Sequence, residues 1–166
     1  MRAALVALAW LICTDVAFAQ ARRDEWLVSS NQANGFAAAY FIDTETVERL
    51  DGDVRGARVW TVFSESFPRP ISEVEAVMQV DCGQRRTRTL SVTTYFRGEG
   101  APPPATNSDS TDWSEVGDAA SAKLAIFSFI CATREERERN AALYQLNGAD
   151  RHRIAQRVFD RLAGQR

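Results

Sequence analysis

The residues that most often carry catalysis are scarce in this chain. His152 is its only histidine and lies among arginines in a segment predicted to be helical. One histidine cannot build a multi-histidine metal site, and a histidine on a charged helix is more often a solvated surface residue than a catalytic one. The sequence also lacks a Gly-x-Ser-x-Gly elbow, a Cys-x-x-Cys pair and a phosphate-binding glycine loop. It therefore predicts a protein that is not an enzyme and carries no cofactor.

A stretch of carboxylates offers a second kind of chemistry. It comprises Asp43, Glu45, Glu48, Asp51 and Asp53. Converging carboxylates bind calcium or act as acid and base, but this spacing does not fit the helix-loop-helix calcium loop. A capped turn followed by a solvated connector accounts for the stretch, so we predict no metal site here.

Three arginines, Arg85, Arg86 and Arg88, cluster at a predicted hairpin turn. Beside Cys82 they could bind anions such as sulfated glycans or phosphate headgroups. A charged turn that keeps a sheet edge from aggregating explains the cluster equally well. These three residues are the candidate anion-binding or partner-binding site of the chain.

Four aromatic residues are candidates for a ligand pocket. They are Tyr40, Trp60, Phe63 and Trp113. Such residues more often belong to a hydrophobic core, because buried aromatic side chains dominate the energetics of a small domain. We favour the core interpretation.

The N-terminus has the three parts of a secretory signal peptide. Arg2 supplies the positive charge, residues 3–12 form an apolar core, and Ala17, Phe18 and Ala19 form a small-x-small cleavage site. The sequence therefore predicts a signal peptide over residues 1–19, with Gln20 as the first mature residue. The apolar core is too short to span a membrane, and no other long apolar run predicts a transmembrane segment.

The cysteines bear on both anchoring and stability. Cys13 follows Ile12, whereas a lipidation signal has a small residue before its cysteine, so we predict no lipid anchor. Cleavage leaves Cys82 and Cys131, and two cysteines in an oxidising compartment predict one disulfide.

The 166 residues fit one domain, with a formal net charge of −2. Nucleic-acid-binding domains are usually strongly basic, so we predict no nucleic-acid partner. Patterns of β-branched, aromatic and alternating residues predict strands over residues 26–30, 36–42, 58–66, 74–82 and 90–96. The last two suggest a β-hairpin around Gly83.

Helices are predicted late in the chain. One begins at Asp118 or Ser121 and runs to Cys131, a second covers residues 133–146, and a third, capped by Asp150, covers residues 151–163. The third has an apolar stripe of Ile154, Val158 and Leu162. That stripe fits packing on the protein's own sheet, contact with an anionic membrane surface, or a homodimer.

Several separated pieces of this sequence resemble one family of exported proteobacterial domains. The pieces are Tyr40-Phe41-Ile42-Asp43, Val47-Glu48-Arg49, Arg58-Val59-Trp60, Asp81-Cys82, Arg86, Arg88, Leu90-Ser91, Tyr95, Trp113, Val116 and Ile130-Cys131. Their order and spacing, from about residue 26 to 132, are similar to the surface-adhesin protein E family. The resemblance implies an antiparallel sheet flanked by helix, a Cys82–Cys131 pairing and an envelope location.

Together these observations predict an α+β fold, an antiparallel β-sheet packed with helices. The expected divisions are the signal peptide (1–19), the adhesin-E-like domain (20–132) and a C-terminal helical extension (133–166). The resemblance implies an exported, non-enzymatic protein of adhesin or binding type, in the periplasm or at the cell surface, that contacts protein or glycan surfaces. The alternative is a periplasmic structural or accessory protein of an envelope assembly without a host ligand.

Overall fold

The computed structural model describes residues 24–108 and 112–164 of the chain. The predicted signal peptide, its cleavage site before Gln20, and Cys13 lie outside these residues. Nine strands and three helices form within the described part. The strands are β1 (Glu25–Ala33), β2 (Phe36–Asp43), β3 (Glu48–Arg49), β4 (Val54–Phe63), β5 (Ile71–Asp81), β6 (Arg86–Phe96), β7 (Ala105–Ser108), β8 (Ser114–Glu115) and β9 (Tyr144–Gln145). The helices are α1 (Ala122–Cys131), α2 (Arg134–Arg139) and α3 (Arg151–Ala163).

The strands form one antiparallel sheet in the order β7-β6-β5-β4-β2-β1-β9, with β3 on β4 and β8 on β6. Tight turns join β1 to β2 and β5 to β6. Between β1 and β2, Asn34 and Gly35 have φ values of 51° and 84°, the left-handed region that an Asn-Gly hairpin turn requires. The predicted α+β class is confirmed, and each of the five predicted strands corresponds to a longer strand of the sheet.

Helix α1 covers one face of the sheet. The Ser121 side chain accepts a hydrogen bond from the N–H of Leu124 and so caps the helix start. Below the helix, Phe129 packs against Trp26 with ring centroids 5.9 Å apart. A disulfide of 2.02 Å joins Cys131, at the end of the helix, to Cys82 beyond the end of β5. The first hydrophobic core therefore lies between α1 and the sheet and is closed by this bridge.

Arginines satisfy the carbonyl groups at the C-terminal end of α1. Arg55 donates to the carbonyl of Ile130 at 2.6 Å, and Arg137 donates to that of Phe129 at 2.8 Å. The last carbonyls of a helix have no partner within the helix and carry partial negative charge, so cations stabilise them. This explains how α1 ends at Cys131, with Ala132 rather than a glycine as its C-cap.

The prediction of a helix over residues 133–146 is wrong beyond Arg139. A capping box between Thr133 and Glu136 starts α2, which ends at Arg139. The chain then turns, and Tyr144 and Gln145 pair with Leu27 and Trp26 at the edge of β1. Strand pairing and burial of the adjacent Leu146 outweigh the helix propensity of residues 141–143.

Helix α3 covers the opposite face of the sheet from α1. Asp150 caps it as predicted, and it packs on β2 and β4. The buried residues are Ile154, Ala155 and Phe159, which meet the fully buried Phe41 in a second core. The apolar stripe is thus rotated from the predicted one, and it packs on the protein's own sheet.

Candidate functional site

The predicted arginine cluster lies where β5 turns into β6. Arg85 occupies the turn with φ of 52°, and its guanidinium lies 2.7 Å from the carboxylate of Asp118. Both partners are largely exposed, with 51% and 91% of their side-chain surfaces accessible. An exposed pair of this kind contributes little to stability. Arg85 therefore lies at the surface, and its charge is balanced by a neighbouring carboxylate.

Arg86 and Arg88 hold a more constrained arrangement. Each guanidinium carbon lies 4.6 Å from the ring centroid of Trp113, within cation–π range. Arg86 also pairs with Asp81 at 3.0 Å, and Arg88 donates to the side-chain oxygen of Gln79 at 2.8 Å. The structure thus gathers two of the three predicted arginines around one indole ring.

Asp81 fixes the geometry of the β5–β6 turn. Its carboxylate accepts the backbone N–H of Gln84 at 2.9 Å and also binds Arg86. The Gln84 N–H and then Arg86 outweigh the effect of burial, so the pKa of Asp81 lies below its ordinary value. The carboxylate therefore holds both the turn and the first arginine of β6.

A β-bulge decides which way Arg86 and Arg88 point. Val77 is opposite Ser91 and Met78 is opposite Thr89, so Leu90 is an extra residue in β6. Side chains alternate between the faces of a strand, and one extra residue reverses the alternation. The bulge therefore places Arg86 and Arg88 on the same sheet face as Tyr95, although their positions differ by odd numbers.

That face carries a row of polar side chains, which Val77 of β5 interrupts between Glu75 and Gln79. We call it the polar face and define it by Arg58, Glu75, Gln79, Arg86, Arg88 and Tyr95. At its centre Glu75 accepts hydrogen bonds from Arg58 at 2.9 Å and from the Tyr95 hydroxyl at 3.2 Å. Tyr95 lies 5.8 Å from Trp60, measured between ring centroids. The polar face runs from the start of α3 to the β5–β6 turn.

The polar face presents positive charge to solvent. The side chain of Arg58 is 57% exposed and that of its partner Glu75 is 10% exposed. For Arg86 and Asp81 the corresponding values are 33% and 9%. The carboxylates lie beneath and orient the guanidiniums, so an approaching molecule meets the cations first.

His152 lies in a network of buried ion pairs that its surrounding sequence does not indicate. Its Nε2 lies 3.2 Å from the buried carboxylate of Glu73. Arg151 bridges Glu73 at 3.1 Å and Glu25 at 2.7 Å, and its guanidinium lies 3.8 Å above the Trp60 ring. The network therefore attaches the first turn of α3 to strands β1, β4 and β5. Glu73 and Trp60 are 79 and 92 positions before His152, so no local pattern could have indicated it.

The ion pair shifts the pKa of both partners. The hydrogen bond that His152 donates to the Glu73 carboxylate raises the pKa of His152 above its ordinary value, against the opposite effect of burial. Burial alone would raise the pKa of Glu73, but His152 and Arg151 outweigh it and the pKa is lowered. The contribution of His152 to stability is thus complete below its ordinary pKa of 6.5 and is lost as pH rises through the folded-state value. The contribution of Glu73 to stability is present above its ordinary pKa of 4.5 and is lost as pH falls through the lower folded-state pKa.

We expect the substitution His152→Gln to flatten the pH dependence of stability between about pH 6 and pH 8. Wild-type protein should lose stability across this range as His152 loses its proton, whereas the variant has no such group. Urea midpoints measured at several pH values test this. Replacing the exposed Gln156 with Ala is the matched control, and equal slopes in wild type and His152→Gln would contradict the expectation.

The first residue of the acidic stretch caps a turn, as the sequence predicts. Asp43 caps a short 3₁₀ turn (Thr44–Thr46) by accepting the N–H of Glu45 at 3.0 Å. Among residues 24–108 and 112–164, no group of three His, Cys, Asp or Glu side chains is arranged to hold a metal ion.

A cavity of about 280 Å³ lies on the α1 side of the sheet, among Met78, Thr87, Arg88, Asp112 and Lys123. Lys123 donates to Ser114 Oγ at 2.7 Å and to the Glu115 carbonyl at 2.6 Å, so it holds β8 beside the first turn of α1. The candidate pocket aromatics do not line this cavity. Tyr40 packs against the first core and Trp60 against the second.

Comparisons with known proteins give one family. The family model described as surface-adhesin protein E matches residues 26–132. Among curated proteins and solved structures, none matches this chain. In the part of the chain that the structure describes, no helix is long and apolar enough to cross a membrane.

Proposed function

The chain belongs to the surface-adhesin protein E family, and on that premise we propose that it is an exported, non-enzymatic binding protein of the cell envelope. The match to residues 26–132 carries this proposal, since it covers strands β2 to β8, most of β1, and helix α1. The chemistry of the surface supports it. Arg85, Arg86 and Arg88 occupy a turn at one end of the sheet, where a partner can reach them.

The contact surface that we propose is the arginine turn together with Trp113. Arginine and tryptophan are enriched among the residues that dominate binding energy at interfaces. Here the Trp113 ring contacts two guanidiniums that other side chains already orient. Such preorganisation lowers the conformational cost of binding. The partner is a protein or glycan surface with acidic groups.

The first experiment locates the protein. An antibody against the folded domain is applied to intact cells and to cells with a permeabilised outer membrane. Surface display predicts labelling of intact cells, and removal of the signal by external protease. Intact mass of the protein from its native envelope then tests the predicted start at Gln20, the disulfide and the absence of lipid. A chain that begins at a lipid-modified Cys13 would contradict the predicted cleavage site and strengthen surface display.

The second experiment tests the contact surface. The double variant Arg86→Gln with Arg88→Gln is expected to reduce attachment of displaying cells to host matrix by about tenfold. Arg157→Gln is the control because Arg157 is an exposed arginine on the outer side of α3. Melting curves must show that the double variant remains folded. Equal loss of attachment in the control would show that attachment does not depend specifically on the arginines of the turn.

The alternative function is that of a periplasmic structural or accessory protein. The residue before Cys13 favours it, because Ile12 does not fit a lipidation signal and a protein without a lipid is not held at the surface that way. Labelling only after permeabilisation, together with an intact mass that matches a chain starting at Gln20, would support the alternative and contradict surface adhesion.

A further inference from the structure

The polar face has features of a ligand surface that extend beyond the arginine turn. From the register of β4, β5 and β6, the Cα atoms of Arg58 and Arg86 are about 17 Å apart, with Val77, Gln79 and Arg88 among the side chains between them. The row is therefore long enough to contact several units of an extended chain. Helix α3 packs on β2 and β4 and its first turn reaches Glu73 of β5, while the side chain of Arg58 remains 57% exposed.

We propose that the polar face binds a sulfated glycan lying across strands β4 to β6. This inference rests on the proposed binding function and names the chemical class of the ligand. The accessible cations Arg58 and Arg86 match sulfate and uronate groups, and guanidinium groups bind such oxyanions through two parallel hydrogen bonds. Beside them the Gln79 amide, whose oxygen accepts from Arg88, has N–H donors for sugar hydroxyl groups. A sulfated glycan is a ligand that carries both kinds of group along one chain.

The aromatic residues at one end of the polar face fit the same ligand. Trp60 and Tyr95 form a tilted pair, and both are only partly buried. Aromatic rings provide flat apolar surfaces, and the hydroxyl of Tyr95 already points to Glu75. Arg151 lies 3.8 Å above the Trp60 ring, so a sugar ring placed here would contact the partly exposed Tyr95 side chain rather than the covered face of Trp60.

A membrane surface is a poorer match for this face. Surface-binding elements insert large apolar side chains among the lipids in addition to their charge contacts. In the described residues the exposed large hydrophobic side chains are Leu50 and Tyr144. Tyr144 lies in the edge strand β9, and Leu50 lies beside Gly56 of β4. In the described residues a membrane would therefore meet one exposed large apolar side chain at the margin of the polar face.

The bulge at Leu90 is the structural feature that brings Arg86 and Arg88 to the sheet face of Tyr95. In a regular strand, Arg86 and Arg88 would lie on the face opposite to Tyr95. With the extra residue, the β5 side chains of Glu75 and Gln79 meet arginines and a tyrosine on one face. Bulges commonly re-aim side chains at binding sites.

The test uses the mature full-length protein and immobilised heparin as the sulfated probe. Fully desulfated heparin, which keeps its carboxylates, and vesicles of phosphatidylglycerol and phosphatidylcholine are the comparison surfaces. We expect binding to heparin that weakens with added salt, and binding to the other two surfaces that is about tenfold weaker or less. Equal binding to desulfated heparin, or stronger binding to the vesicles, would overturn the proposal.

Two variants assign the binding to the polar face. Arg58→Gln removes an accessible cation, and Ser91→Glu adds a carboxylate between Arg58 and Arg88 without removing an ion pair. Each should weaken heparin binding about tenfold, whereas Arg157→Gln should leave it unchanged. Unchanged binding in both polar-face variants would contradict the proposal, even if one of them is less stable.

The outcome can be separated from that of the proposed function. Heparin binding by purified protein that is found only in the periplasm would support the glycan inference and contradict surface adhesion. Adhesion of intact cells that persists in Ser91→Glu and is not competed by heparin would support surface adhesion and contradict the glycan inference.

Discussion

Deletion of residues 150–166, which include α3, is expected to abolish the cooperative unfolding transition of the domain. The deletion removes Ile154, Ala155 and Phe159 from the second core and exposes Phe41, which is fully buried in the intact chain. It also removes Arg151 from the buried carboxylates of Glu25 and Glu73. Loss of one large core side chain costs about 2–5 kcal/mol, and a domain has only about 5–15 kcal/mol in total. The combined loss is comparable to the whole stability.

Thermal and urea unfolding followed by circular dichroism measure this effect. Phe159→Ala is the graded version, expected to cost about 3–5 kcal/mol, and Arg157→Ala, on the exposed side of the same helix, should stay within about 0.5 kcal/mol of wild type. A truncated protein with the wild-type midpoint would mean that α3 is an addition to an independently stable sheet domain.

Replacement of both Cys82 and Cys131 by serine is expected to destabilise the domain by about 4 kcal/mol, because the bridge closes a loop across 49 positions and restricts the unfolded chain. The bridge also joins the end of α1 to the β5–β6 turn that carries the arginines. We therefore expect the double variant to weaken the order of that turn as well as global stability.

The measurement compares urea midpoints of wild type and the double-serine variant under oxidising conditions, with each repeated in reductant. Wild type should lose stability in reductant, and the variant should be indifferent to it. Equal midpoints for oxidised and reduced wild type would show that the bridge contributes nothing. Hydrogen exchange at residues 82–86 reports the local effect.

The strands were predictable because their signals are local. β-branched and aromatic residues with period-two alternation indicated β4, β5 and β6, and the Asn34-Gly35 turn indicated the β1–β2 hairpin. The cap of α3 at Asp150 is likewise contained within a few residues. The helix predicted for residues 141–146 was wrong. Their own propensity is helical, but the strand Tyr144–Gln145 forms by pairing with the edge of β1, more than 110 positions earlier.

The candidate site divides in the same way. Arg85, Arg86 and Arg88 were predictable as a cluster because they are neighbours in sequence at a turn. Their position on the same sheet face as Arg58 and Tyr95 was not predictable, because it depends on strand register and on a single extra residue in β6. His152 was expected to be solvated, yet it is half-exposed and paired with Glu73.

The sequence by itself determined the α+β class, the positions of the long strands, two of the helix starts and the prediction that Cys82 and Cys131 pair. These follow from patterns that repeat over a few residues and from the chemistry of the compartment that the N-terminus indicates. The tertiary structure alone decided the face that α3 covers, the attachment of Arg151 and His152 to the sheet, and the side to which Arg86 and Arg88 point. Such features depend on contacts between residues far apart in the chain, and a one-residue change in strand register exchanges the two faces of a sheet while leaving composition and propensity unchanged.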